Sequence, residues 1–204
     1  MRASVQTGDE WLRIFACYRG HMATPMNGGM RHILNEIAES TGDLATAISA
    51  DGVFAGIRYL NGRVPHRCTA IYKLEDNTVR CLYLHDKQGE LTPAFLAVVP
   101  LDDSYCQFVL RDGYFGSDNT PDDRRLDGNP HQGVIVSYHG VPIVDAAGKL
   151  FGTLCHFDMV PHTLADDEFA FFQMASAVFT PYLCGLLEGG LPDSGSAPAA
   201  FPTA

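Results

Sequence analysis

Apolar residues recur at helical spacing through the first quarter of the chain. Trp11, Ile14, Phe15 and Tyr18 share one helical face, and Met30, Ile33, Leu34, Ile37 and Ala38 repeat the pattern after a turn-rich stretch at 21–29. A further stripe runs through Leu44, Ala47 and Ile48. Helix is expected to resume at Val53 through Phe54, Ile57, Tyr59 and Leu60, and to end at Asn61-Gly62.

The period then changes. Residues 68–74 (CTAIYKL) are β-branched and aromatic, residues 78–84 (TVRCLYL) alternate, and Glu75-Asp76-Asn77 between them suits a hairpin turn. A short helix is expected over 103–110 and a strand over 114–119, followed by a polar, turn-rich loop over 118–132 with one helical turn at 122–126. Two strands follow at 133–144 and 149–158, joined by a four-residue turn at 145–148. The last element is a helix. Thr163 is its expected N-cap, Asp166, Asp167 and Glu168 favour the positive first turn, and Phe169, Phe172, Phe179 and Leu183 form its core stripe. Pro181 is expected to kink or split it. Strands joined by local hairpins imply an antiparallel sheet, so the order describes an α+β domain with helices covering that sheet.

Composition narrows the function classes. The 204 residues suit one domain with extensions. Twenty-four acidic against 14 basic residues leave a net charge of -10, which argues against a nucleic-acid partner. No apolar run is long enough to span a bilayer, and residues 1–11 carry Arg2, Asp9 and Glu10 where an export signal needs an apolar core, so the expected location is the cytoplasm. The tail 189–204, rich in Gly, Pro, Ser and Ala, is expected to be disordered.

Six cysteines are scattered as Cys17, Cys68, Cys81, Cys106, Cys155 and Cys184, with no CxxC pair, so neither a disulfide scaffold nor a zinc site is expected. Among eight histidines, His131, His139 and His156 make the best metal trio, with His66 and His85 as additions, but none has metal-ligand spacing. No metal is expected, and no Walker loop, GxGxxG or nucleophile elbow is present.

Four segments together resemble the GAF domain family: Leu60-Asn61-Gly62-Arg63-Val64-Pro65-His66-Arg67 leading into 68–74, Ser104-Tyr105-Cys106, Val136-Ser137-Tyr138-His139-Gly140-Val141-Pro142, and Gly152-Thr153-Leu154-Cys155-His156-Phe157-Asp158. The resemblance covers residues 51–187. It implies a PAS-related α+β fold: a central antiparallel sheet of five to six strands, helices from both chain ends on one face, and a loop-covered pocket on the other. It divides the chain into an N-terminal helical extension (1–50), a GAF domain (51–188) and the tail.

Members of the family bind cyclic nucleotides, bilins, haem or other small molecules, and many dimerise through terminal helices. The function implied is small-molecule or redox sensing, acting through dimerisation or a separate output protein, with the ligand and any cofactor unidentified. The Asn-Lys-Phe-Asp-Glu-like signature of cyclic-nucleotide members is absent, and Cys155-His156 lies in a strand rather than in a bilin-attachment context. Two alternatives stand beside the sensor: a thiol enzyme of the free methionine sulfoxide reductase type, for which Cys106 and Cys155 are the available thiols, and a fold used only for association. Candidate ligand-binding residues are Tyr72, Cys106, Phe115, Asp123, Arg124, Ser137, Tyr138 and Cys155. Cys106 begins a helix, where a thiol gains acidity. Arg124 suits an anionic group, and Tyr138 offers a ring with a hydroxyl. Gly140, before Val141-Pro142, suggests a bulge or a close approach to the backbone, as by a ligand.

Overall fold

A computed structural model describes residues 28–90, 94–145 and 147–188 of the chain. The expected 11–18 helix and the tail lie outside the described residues. Helix α1 (Gly28–Asp51) is continuous and joins two of the expected stripes. Its Leu44 and Ile48 are buried one turn apart. Gly52 separates it from α2 (Val53–Arg63), which buries Gly56, Ile57, Leu60 and Asn61.

Strands β1 (Cys68–Glu75) and β2 (Thr78–Asp86) form the expected hairpin. Asp76, at φ 51, takes the left-handed conformation that a two-residue turn of this hand requires. Strand β3 (Val98–Pro100) was not expected; it is a three-residue edge strand, short enough for its proline to be tolerated. Helix α3 (Cys106–Asp112) starts three residues later than the sequence pattern suggests, because a 3₁₀ turn at Leu101–Asp103 takes up the start. Strand β4 (Phe115–Ser117) leads into a connection with 3₁₀ turns at Thr120–Asp122 and Arg124–Leu126. Strands β5 (Ser137–Val144) and β6 (Leu150–Asp158) make the second hairpin. Helix α4 (Asp166–Glu188) begins at Asp166, so Thr163 stands outside it.

Helix α4 runs through Pro181 as one element. Pro181 is exposed, while Phe179 and Leu183 on either side of it are fully buried. Their burial, worth roughly 1.5–3 kcal/mol each, offsets the roughly 3 kcal/mol that an interior proline costs a helix.

The six strands form one antiparallel sheet in the order β3-β2-β1-β6-β5-β4. Alternation along the central strands sends their side chains to two separate cores. On one face Ile71, Val141, Ile143 and Leu154 meet the helices through Leu44, Ile48, Ile57, Leu60, Phe172 and Phe179. On the other, Cys68, Ala70, Tyr72, Tyr138, Cys155 and Phe157 meet α3 and the 118–136 connection. Gly152 marks a close approach of β1 and β6: a Cβ there would lie 1.9 Å from the Tyr72 carbonyl oxygen.

Candidate functional site

The face covered by α3 and the 118–136 connection gathers five of the eight candidate residues. Tyr72 on β1, Cys155 on β6, Tyr138 on β5, Cys106 at the start of α3 and Phe115 on β4 all belong to the same buried cluster. Cys155 therefore points away from the helices. The connection is tied over them by the Tyr105 hydroxyl, which donates to the Ile135 carbonyl at 3.3 Å, and is braced internally by the Thr120 hydroxyl, which donates to the same carbonyl at 2.6 Å. Asn129 adds an amide bond to the Asp103 carbonyl at 2.9 Å.

The space behind this latch is nearly closed. Tyr72, Tyr105, Cys106, Tyr138, Cys155 and Phe157 line a cavity of about 30 Å³, which is room for one water molecule. The close approach to Gly140 is made by the protein itself. A Cβ there would lie 2.7 Å from the Tyr138 hydroxyl oxygen and 2.8 Å from Val109 Cγ2. Tyr138 thus folds back over its own strand and plugs the site, with Tyr105 edge-on to it at 5.3 Å between ring centroids.

The electrostatics keep the thiols protonated. Burial pushes Cys68 and Cys81 up to about 12 and raises Cys106 and Cys155 as well. The Thr153 hydroxyl donates to Cys106 Sγ at 3.1 Å, yet complete burial outweighs that bond and the acidity expected at a helix start. The nearest polar partner of the Tyr138 hydroxyl is this same Sγ, 3.6 Å away. A thiol is a weak hydrogen-bond partner, so the phenol is only weakly paired.

The other three candidates are elsewhere. Ser137 lies on the helix-facing side, its hydroxyl donating to the Val160 carbonyl at 2.9 Å, so it does not line the cavity. Asp123 and Arg124 line an open groove of about 460 Å³ together with Ser117, Asp118, Asp122 and His139. Arg125 bonds both Asp123 oxygens and the Gly116 carbonyl, and lies over the Phe115 ring at 4.5 Å.

Of the histidines that the sequence named only as metal candidates, His66, His139 and His156 come together as a second polar centre on the helix-facing side, while His131 and His85 lie apart from it. Both hairpin strands were legible, and their register sets His139 directly opposite His156, which was the available signal. No group of three or more His, Cys, Asp or Glu among the described residues is arranged to hold a metal ion. No helix among them is long and apolar enough to cross a membrane.

Architecture and site together define a GAF-like α+β domain with its loop-side pocket closed. No family model matches the sequence, and no curated protein matches it. Solved structures do match the fold. The GAF domain of an Acinetobacter phosphoenolpyruvate-protein phosphotransferase aligns with a TM-score of 0.56 at 14% identity, covering 80% of this chain and 98% of that one. The free methionine-R-sulfoxide reductase of Neisseria meningitidis, solved with its substrate, aligns with a TM-score of 0.58 at 10% identity, covering 74% and 90%. The chromophore-binding domain of a Stigmatella aurantiaca bacteriophytochrome gives 0.58 at 10% identity, covering 73% of this chain and 60% of that one. At such identities the likeness concerns the fold alone.

Proposed function

We propose that the chain is a small-molecule sensing module whose pocket is closed at rest. A small, flat, largely neutral ligand enters behind Tyr138 when the 118–136 connection lifts, and the signal passes through the helices to a second copy or a separate output protein. In this reading residues 51–188 form the sensing unit and 1–50 its helical extension.

The observation that carries the reading is the lining. Tyr138 is a buried phenol whose nearest polar partner is a thiol. Burying a poorly paired hydroxyl costs roughly 1–3 kcal/mol. A ligand with one polar edge repays it. Lifting the connection gives up the Tyr105 and Asn129 hydrogen bonds and exposes the buried Leu126 and Ile135, a cost of several kcal/mol that a ligand must offset.

The test uses the full chain against flat heterocyclic and phenolic metabolites. A ligand of the native state raises the melting temperature and protects the amides of 118–136 from exchange. A second chain, Tyr105→Phe, lacks one latch bond and binds the same ligand more tightly, because opening costs it less. No shift in either chain across the compound classes refutes the reading.

A second reading, association without a ligand, is favoured by the cavity volume. It requires that no compound bind either chain while the protein still dimerises. A thiol-enzyme reading, suggested by the fold likeness to free methionine sulfoxide reductases, needs a thiolate that burial of Cys106 and Cys155 opposes.

A further inference from the structure

The helix-facing side of the sheet holds a buried imidazole relay that the pocket does not use. Asp118, on the open groove, accepts from His139 Nε2 at 3.0 Å. His139 Nδ1 lies 3.1 Å from His66 Nε2. His66 stacks on His156 at 5.8 Å between ring centroids, and His156 stacks on Phe172 of α4 at 4.1 Å. His66 and His156 are fully buried and His139 is 7% exposed. A continuous line of contacts therefore runs from the groove to the C-terminal helix.

The protons on this line follow from its partners. An ionised carboxylate only accepts, so His139 Nε2 carries a proton. Burial keeps His139 neutral, so its Nδ1 is the acceptor and His66 Nε2 the donor between them. His66 Nδ1 is then a buried lone pair, and it has no hydrogen-bond partner among the described residues. On the far side, the Asn61 amide donates to Thr69 Oγ1 at 2.8 Å, which leaves the Thr69 hydroxyl to donate to His156 Nδ1 at 2.7 Å.

We infer that protonation of His139 is a switch that loosens α4 from the sheet. The only nitrogen of His139 without a proton is Nδ1, so an acid in solution must place its proton there. Two N–H groups then face each other across 3.1 Å where a hydrogen bond stood. Moving the His66 proton to Nδ1 instead would bury an N–H with no partner among the described residues, so His66 turns away, and the His156–Phe172 stack that rests on it loses its support. The remaining charged neighbours are Asp158 at the end of β6 and His162 after it, paired at 3.2 Å, and Lys87 after β2, whose Nζ donates to the Val64 carbonyl. On the helices, Arg63 of α2 and Glu168 of α4 bond each other at 2.8 Å. Asp118 is the carboxylate in contact with His139, and it favours the imidazolium. His139 therefore takes up a proton before His66 and His156, which lack such a partner.

The experiment is hydrogen exchange of the full chain between pH 8 and pH 5, corrected for intrinsic rates and read separately for α4 and for the β1–β2 hairpin. In the wild-type chain α4 loses protection on acidification, by up to roughly tenfold per pH unit for each proton taken up, while the hairpin does not. In His139→Gln the amide keeps both hydrogen bonds without a titratable group, and α4 protection is flat with pH. In Asp118→Asn, a change at a half-exposed position that leaves the fold intact, the transition moves to lower pH. A flat wild-type profile, equal loss in the hairpin, or an unmoved transition in Asp118→Asn overturns the inference, as does a His139→Gln profile like that of the wild type.

Discussion

Replacing Tyr138 by alanine is the most informative single change. Its phenol is 3% exposed and touches Tyr105, Phe115 and Cys106. Deletion leaves on the order of 100 Å³ of new space, which joins the existing cavity of about 30 Å³. At roughly 24 cal/mol per Å³ the new cavity costs about 2–3 kcal/mol, and lost transfer energy adds about 2 more, so a loss of about 4 kcal/mol is expected. For a chain of this size that lowers the melting temperature by roughly 8–16 °C. The assay is urea unfolding followed by far-UV circular dichroism, repeated with phenol. Phenol refills the site and is expected to restore part of the loss in Tyr138→Ala, an effect larger than any it has on the wild-type chain. A loss under about 1 kcal/mol, or a cavity that phenol does not stabilise, refutes the assignment of Tyr138 as the plug.

Three further outcomes follow from the same geometry. Gly152→Ala forces a Cβ to within 1.9 Å of the Tyr72 carbonyl oxygen, where only backbone can yield, so it is expected to cost at least the roughly 3 kcal/mol of severe overpacking in a urea titration. His66, held down to about 3 by burial and by the neighbouring His139 and His162, binds its proton more readily when unfolded. Its contribution is present in full above about pH 6.5 and falls away toward pH 3, by about 5 kcal/mol in total; His66→Gln is expected to flatten that part of the acid-unfolding curve, and an unaltered slope counts against it. In a chain carrying Cys17→Ser and Cys184→Ser, the four remaining thiols are expected to resist disulfide reagents at pH 7.5 until unfolding. Fast labelling of Cys106 or Cys155 would revive the thiol-enzyme reading.

Much of the architecture was legible because the periods were clean. The stripe from Ile33 to Ile48 and the alternation on either side of Asp76-Asn77 set α1 and the first hairpin. Less legible were features decided by packing at a distance. Pro181 did not split α4, because Phe179 and Leu183 bury the helix on both sides of it. Strand β3 pairs over three residues only, too few to show a period. Of the candidate residues, Tyr72, Cys106, Phe115, Tyr138 and Cys155 converge. Ser137 does not, although alternation with Tyr138 already set it on the opposite face. The histidine relay spans four separated positions, and only its His139–His156 step is visible as a strand register.

Native mass spectrometry of the wild-type chain after incubation with a metabolite extract tests the sensing reading most directly. The expected result is a non-covalent adduct above the 22.2 kDa polypeptide that Tyr105→Phe retains more strongly. A bare polypeptide in both chains at every extract concentration would contradict it and leave association as the function of this fold.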